Sequence, residues 1–154
     1  MNDASLHLRT AAAALRSIGP WVREQLVPSL DERAAEIVGP KIELALTELC
    51  GNIVEHGYLG SADGELTVSF TVSPSYVAVM IVDDGVPFEV ATNVATATAT
   101  AAAPGRDADP DANPELDTEE TNGYGLFIVR RLTSYFVVER VGNRNRTIVH
   151  FDLP

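Results

Sequence analysis

The strongest constraint in this sequence is residues 42–58, IELALTELCGNIVEHGY, where polar and apolar residues recur at helical spacing. Glu48, Asn52 and His56 are four positions apart, so their side chains lie on one face of an α-helix. The surrounding positions are broadly apolar, which predicts a largely buried helix rather than one with an ordinary solvated face. Burial of an acid and an amide costs free energy unless they have partners. We therefore interpret the stripe as part of a ligand site.

The composition bounds the class of protein. The 154 residues are 45% hydrophobic, enough for one domain with a substantial core. The 22 acidic and 11 basic residues give a formal charge of -11, which argues against direct nucleic-acid binding. Cys50 has no partner cysteine and no zinc-ligand spacing, so we expect a small buried hydrophobe. The sequence shows no signal peptide and no membrane-spanning run, so we expect a cytoplasmic protein without membrane contact.

Hydrophobic periodicity and turn residues predict the order strand, helices, two strands, long connection, helix, two strands. The predicted elements are a strand at 5–9, a helix from about 12 or 15 to 27, a short helix at 31–38 ended by Gly39-Pro40, the long helix of 42–58, strands at 65–72 and 76–82, a short helix at 126–132, and strands at 135–141 and 146–153. The order lacks a regular βαβ alternation. It predicts an α+β fold with a mixed or antiparallel sheet and helices on one face.

Residues 86–122 differ in composition from the rest of the chain. They contain an Ala/Thr-rich stretch and then an acidic stretch with three prolines, neither with apolar periodicity. A connection this long inside a small domain is usually functional or disordered. Too little chain follows it to form a second core, so we expect a single domain over residues 1–154 with a mobile lid at about 86–122.

Two glycine-containing motifs follow the long helix. Asp83-Asp84-Gly85 ends a buried-type strand. A carboxylate there can accept a hydrogen bond from an exocyclic amine, and glycine lets a flat ring approach the backbone, although Asp-Gly is also common in plain turns. Gly123-Tyr124-Gly125 stands where an apolar helix is predicted to begin, a point suited to phosphate oxygens. It is neither a P-loop nor a dinucleotide fingerprint, and alone it is weak evidence.

Together, Glu48-x3-Asn52-x3-His56-x-Tyr58, Asp83-x-Gly85-x-Pro87-Phe88 and Gly123-x-Gly125-Leu126-x-Ile128-Val129 resemble the N, G1 and G2 boxes of the GHKL ATPase superfamily. The small size and the Asn-x3-His-x-Tyr form are similar to the anti-sigma factor serine/threonine kinases. The resemblance covers nearly the whole chain. It implies a Bergerat ATP-binding fold, a two-layer α/β sandwich with a mixed, largely antiparallel sheet, in which the long connection is the ATP lid.

The resemblance implies roles for individual residues. Glu48 would be the general base that takes the proton from a protein serine, and Asn52 would coordinate a Mg²⁺ ion that bridges the ATP phosphates. Asp83 would hold the adenine amino group; adjacent strand residues point to opposite faces, so Asp84 would not share this site. The remaining implied nucleotide-binding residues are Gly85, Gly123, Gly125, Leu126 and Thr147. For His56 and Tyr58 we expect packing roles.

By the same resemblance, the chain would be an ATP-dependent protein serine kinase that phosphorylates a STAS-domain anti-anti-sigma protein and sequesters a sigma factor. It would form a homodimer, for which Trp21, Val22 and the first strand are candidate interface residues. One position departs from the sporulation-type kinases. Thr121 stands where they have an arginine that reaches the terminal phosphates, and no Lys or Arg lies between Arg106 and Gly123.

Three other hypotheses stay open. The missing arginine favours an ATP-gated regulator that sequesters a partner with little or no kinase activity. A detached histidine-kinase catalytic module is less favoured, because no helix with a phosphoacceptor histidine precedes the predicted domain in this sequence. A domain that shares the fold but binds no nucleotide is disfavoured, because three ordered motifs are much more specific than one.

Overall fold

The computed structural model describes residues 4–59, 61–87 and 118–154, with side chains in the last range from Gly125 onward. The strands are β1 (Ser5–Arg9), β2 (Glu65–Val72), β3 (Tyr76–Asp83), β4 (Tyr135–Val141) and β5 (Arg144–Asp152). The helices are α1 (Ile18–Trp21), α2 (Glu32–Asn52) and α3 (Thr118–Leu132). Shorter 3-10 or π-helical turns are Ala14–Ser17, Val22–Leu26, Val27–Ser29 and Ile53–Gly57. Most of the predicted lid lies outside the described residues.

The five strands form one sheet in the order β1-β2-β3-β5-β4. Each neighbouring pair is antiparallel, so the predicted α+β fold is confirmed, and the described strands include no parallel pair of the kind that a mixed sheet would contain. Along β2, Leu66, Val68 and Phe70 are buried while the residues between them are more exposed. The same alternation runs along β3 and β5, so one face of the sheet carries the core and packs against the helices.

The core forms between α2, the helical turns before it and the buried face of the sheet. Ile42, Leu46 and Ile81 are fully buried there. Trp21 and Val22 are also core residues of the single chain, with 8% and 0% exposure, and the Trp21 ring meets Phe70 edge-on with centroids 5.6 Å apart. They are therefore not free to form a dimer interface.

Helix α2 is one 21-residue helix, whereas a break was predicted at Gly39-Pro40. Pro40 lies inside the helix and removes the N–H that would bond the carbonyl of Glu36. Both residues are exposed, so water can reach that carbonyl. Gly39 packs closely on the preceding turns, since a Cβ there would lie 3.3 Å from Val27 Cγ2. Of the described helices, α2 included, none is long and apolar enough to cross a membrane.

Two other predicted boundaries differ from the structure. Helix α3 begins at Thr118, so Gly123 and Gly125 lie inside it, and the predicted helix start at these glycines is wrong. Strand β5 begins at Arg144, two residues before its predicted start, because Gly142, with φ 63°, makes a tight turn directly after β4. Both differences place more residues in regular structure near the polar motifs than the sequence indicated.

We expect Pro40→Ala to raise the free energy of unfolding by about 1–2 kcal/mol, because alanine restores a helical hydrogen bond, partly offset by a more flexible unfolded chain. Urea denaturation measures this change. The control is Pro74→Ala in the turn between β2 and β3, which should lower stability by up to about 1 kcal/mol. A Pro40→Ala protein no more stable than its parent would contradict this account of α2.

Candidate functional site

A pocket opens between α2, α3 and the sheet. It is lined by Leu49, Asn52, Ile53, Gly57, Asp83, Leu126, Phe136, Val138, Asn145 and Thr147. Four predicted site residues from separate elements therefore meet at one place: Asn52, Asp83, Leu126 and Thr147. The space, including its part open to solvent, is about 430 Å³, within the size range of ligand sites.

The enclosed part of this pocket is narrow in the observed conformation. Its volume is about 20 Å³, roughly the room that one water molecule needs. Leu126 of α3 is only 9% exposed and packs with the core residues along one wall. A purine ring is much larger than a water molecule, so a base can reach Asp83 only if Leu126 or the beginning of α3 moves from its observed position.

Asp83 lies at the end of β3, at the polar base of the pocket. It is 4% exposed, and its Oδ1 accepts hydrogen bonds from Gly85 N at 3.0 Å and Asn145 Nδ2 at 2.9 Å. Its Oδ2 accepts none from the described residues and remains available to a donor in the pocket. Asp84 is exposed, and its Oδ1 lies 2.5 Å from the Tyr58 hydroxyl. The two neighbouring carboxylates therefore face opposite sides, as predicted.

Burial changes the titration of the groups around Asp83. Desolvation is the main cause that raises the pKa of the Asp83 carboxyl above its ordinary value, and Asp84 raises it further. Hydrogen bonds from Asn145 and Gly85 and the charge of Arg140 act in the opposite direction. Burial, with a smaller contribution from Asp83, raises the pKa of the Cys50 thiol to about 12. Cys50 is thus a neutral, fully buried residue, as the sequence predicted.

Sequence analysis missed Asn145 and Arg140, which hold the backbone after β3. Asn145 Nδ2 lies 3.1 Å from Val86 O and 3.3 Å from Gly85 O, in addition to its bond to Asp83. Arg140 Nη1 donates to Asn145 Oδ1 and to Gly85 O, both at 2.9 Å. A signal was present in the alternation of β5, since Asn145 is two residues before Thr147 and so shares its face. It was missed because the strand was predicted to begin one residue too late to include Asn145.

Gly85 is required because two backbone segments meet there. A Cβ at this position would lie 2.6 Å from the carbonyl oxygen of Gly57, and Val86 N donates to the same oxygen at 2.9 Å. The sequence predicted that this glycine makes room for a flat ring. In the structure the Gly57 backbone occupies the space where its side chain would be, so the glycine joins the end of α2 to the end of β3.

Glu48 and Asn52 face α3 at Gly125. A Cβ on Gly125 would lie 2.5 Å from Glu48 Oε2 and 3.7 Å from Asn52 Nδ2, so the predicted helical stripe meets the third motif. Asn52 is 9% exposed, and its Nδ2 is buried with no hydrogen-bond partner among the described residues. A buried polar atom without a partner costs free energy, so Asn52 Nδ2, a donor, is suited to an acceptor atom of a ligand, whereas a metal ion would need the Oδ1 of the same amide.

Tyr58, Gly123 and Thr121 are further positions that the sequence singled out. Tyr58 has a packing role, since its hydroxyl lies 2.8 Å from Glu65 O and accepts from Asp84 N at 3.0 Å. The surroundings of Gly123 and Thr121 lie outside the described side chains. No group of three or more His, Cys, Asp or Glu side chains in the described ranges is placed to hold a metal ion. A Mg²⁺ ion at Asn52 would therefore need phosphate oxygens or water as its other ligands.

Residues 4–151 match the model of the histidine kinase-like ATPase domain, so the chain belongs to that family. The family implies ATP binding, and the partnerless Asn52 Nδ2 donor, the open Asp83 Oδ2 and the small Gly125 fit a nucleotide. The Asn52 Oδ1 is an oxygen of the kind that Mg²⁺ prefers. No curated protein matches the sequence. Among solved structures, the histidine kinase AdeS of Acinetobacter baumannii is similar with a TM-score of 0.44 and 14% identity, over 99% of this chain and 69% of that chain.

We expect Gly85→Ala to lower the free energy of unfolding by about 1–3 kcal/mol, because its Cβ would collide with the Gly57 carbonyl group and force the two segments apart. Gly51→Ala is the matched control. A Cβ at Gly51 meets nothing within 4 Å, and alanine should stabilise α2 by about 0.5–1 kcal/mol. Urea denaturation of both variants checks the contrast, and equal effects of the two substitutions would contradict it.

Asp83→Asn should stabilise the protein at neutral pH. When folding raises the pKa of a carboxyl group, the free energy of unfolding falls as the pH rises from the unfolded-state pKa to the folded-state pKa of that group. It stays lower at every pH above these two pKa values. Asparagine keeps the Oδ1 acceptor but carries no charge. Its advantage should therefore shrink as the pH falls toward the unfolded value of about 4. Parallel urea titrations of both proteins measure the difference, and an advantage that grows in acid would contradict the sign.

Proposed function

We propose that this protein is an ATP-dependent protein serine kinase that acts as an anti-sigma factor, phosphorylating a STAS-domain anti-anti-sigma protein and sequestering a sigma factor. The observation that carries the proposal is the meeting of Glu48, Asn52 and Gly125 beside the pocket that Asn52 and Asp83 line. The first two residues supply the carboxylate and the amide that phosphotransfer to a hydroxyl needs. On the same sequence resemblance, we also propose that the protein forms a homodimer and acts in the cytoplasm.

Each residue has a role that its position allows. Asp83 Oδ2 accepts a hydrogen bond from the amino group of the base, beside the buried Thr147. The Asn52 amide would hold the metal ion that accompanies the phosphates through its Oδ1, since the Nδ2 group has only donors. Bound MgATP supplies the phosphoryl group and the cation that offsets its charge. Glu48, which is only partly buried, accepts the proton of the substrate serine at the mouth of the pocket.

A second candidate function has an observation in its favour. Sequence between Arg106 and Gly123 contains no Lys or Arg, and Thr121 occupies the position of the expected arginine. A cation near the terminal phosphate stabilises the charge that develops in phosphoryl transfer. Without one, the same pocket would suit a regulator whose capture of a partner depends on bound ATP but leaves the partner unmodified.

The Glu48→Gln variant tests the kinase proposal. We expect the wild-type protein with MgATP to place a phosphate on a serine of a STAS-domain protein from its own genome. The variant should be slower by about 10²- to 10⁴-fold, because the amide cannot accept the hydroxyl proton, with MgATP affinity changed only a few-fold. Mass spectrometry of the product and calorimetry of MgATP binding measure the two effects. Glu36→Gln, an exposed acid on the same helix, is the control and should change neither.

The outcomes separate the candidates. A full phosphotransfer rate in Glu48→Gln would remove the proposed base. Partner capture that depends on ATP, without a phosphoserine product, would favour the sequestering regulator. Phosphohistidine on a partner would point instead to histidine-kinase chemistry. Absence of MgATP binding in the wild-type protein would reject both the kinase and the ATP-gated regulator.

A further inference from the structure

The orientation of the Asp83 carboxylate depends on a side chain from another strand. Asp83 Oδ1 accepts hydrogen bonds from Gly85 N, two residues later in the chain, and from Asn145 Nδ2 of β5. Asp83 and Asn145 are each 4% exposed, and they are opposite residues in the pairing of β3 with β5. Opposite residues in an antiparallel pair point to the same face, so the strand register itself brings the amide to the carboxylate.

Both polar side-chain atoms of Asn145 have partners within the protein. Its Oδ1 accepts from Arg140, and its Nδ2 lies within hydrogen-bond distance of three acceptors: Asp83 Oδ1, Gly85 O and Val86 O. The reversed amide would set its oxygen against those three oxygens and its nitrogen against the Arg140 guanidinium. The surrounding groups therefore determine the amide orientation, and the contact with Asp83 gives Asn145 a route to act on a ligand.

Arg140 fixes Asn145 from the edge strand. The two residues are opposite each other in the pairing of β4 with β5, and Arg140 Nη1 donates to both Asn145 Oδ1 and Gly85 O. A guanidinium has only donors, so it prevents the Asn145 amide from turning over. The chain of contacts from Arg140 through Asn145 to Asp83 leaves the carboxylate one acceptor, Oδ2, for the pocket.

A fixed acceptor at this point discriminates between purines. Adenine carries an amino donor at C6, whereas hypoxanthine carries a carbonyl oxygen there. An oxygen placed against a buried carboxylate leaves two acceptors without a hydrogen between them, which is costly. A carboxylate free to turn can instead accept from the ring N–H of hypoxanthine and so reduce that cost.

We infer that Asn145, held by Arg140, is a positioning residue that fixes Asp83 as a hydrogen-bond acceptor and makes the pocket selective for a purine with an exocyclic amino group. The inference rests on the nucleotide-binding part of the proposed function and not on phosphotransfer. It concerns the ratio of the affinities for two ligands. A residue that only stabilises the fold would not change this ratio.

The test compares the affinities of MgATP and MgITP, which differ at C6 of the base, by calorimetry. The wild-type protein should prefer ATP by about 100-fold or more. In Asn145→Ala that ratio should fall at least about 10-fold, because the released carboxylate can satisfy the ring N–H of hypoxanthine. Arg140→Met should also lower the ratio. Arg140→Lys should largely keep it, since Arg140 reaches both oxygens through the single nitrogen Nη1 and an ammonium group also donates from one nitrogen.

Arg146→Ala is the matched control. Arg146 is next to Asn145 on β5 but points to the other face of the sheet, where it pairs with Glu139 at 2.7 Å, so its loss should leave the ratio unchanged. Thermal unfolding confirms that each variant is folded. If Asn145→Ala does not fold, the contrast between Arg140→Met and Arg140→Lys decides the question.

Three results would count against the inference or its basis. Equal weakening of ATP and ITP in folded Asn145→Ala, with the ratio unchanged, would overturn it and leave Asn145 a structural support. A wild-type protein that binds both nucleotides equally would overturn it as well. A wild-type protein that binds neither would reject the nucleotide site and the proposed function together. By contrast, an Asn145-dependent preference for ATP without any phosphoserine product would support this inference and reject only the kinase.

Discussion

The site depends on how one carboxylate, Asp83, is kept inside the core. Desolvation disfavours its charged form, and the neighbouring Asp84 adds to that effect. The donors Gly85 N and Asn145 Nδ2 act in the other direction and hold a single oxygen. The result is a buried acid with one satisfied oxygen and one that faces the pocket. Such an arrangement is retained at a cost in stability, which is typical of a group kept for binding.

The backbone around Asp83 has little freedom because several segments meet there. The Gly57 carbonyl group lies against Gly85 and accepts from Val86 N, which joins the end of α2 to the turn after β3. On the exposed side, the Tyr58 hydroxyl contacts Asp84. The residue pair at the end of β3 is thus held from both faces of the sheet. Rigid placement of this kind is what a polar group needs if it is to discriminate between ligands.

Helix α3 contributes the opposite wall of the pocket through Leu126. Leu126 packs into the core and lines the pocket, and Gly125 meets Glu48. The proposed base and metal ligand lie on α2, which is anchored by its apolar face, while the element that covers them is α3.

The helical stripe of Glu48 and Asn52, the order of the elements along the chain and the burial of Cys50 were all predictable from sequence, because they follow from residue spacing and local polarity. The family membership over residues 4–151 agrees with the three ordered motifs. Two local signals were misleading. Pro40 does not end α2, because the exposed side of the helix lets water satisfy the carbonyl it leaves open, and Gly125 does not start α3 but allows it to approach Glu48.

What the sequence determined by itself is the set of elements and the polar groups they carry, since these depend on interactions between residues near each other in the chain. What only the tertiary structure decided is the network of Arg140, Asn145 and Asp83, whose members come from three strands. Their contact depends on the antiparallel register of β3, β5 and β4, in which Asp83 faces Asn145 from a distant part of the chain and Arg140 faces Asn145 across the tight turn between β4 and β5. Register is set by the packing of whole strands, so no local pattern around Asn145 reveals which carboxylate it will hold.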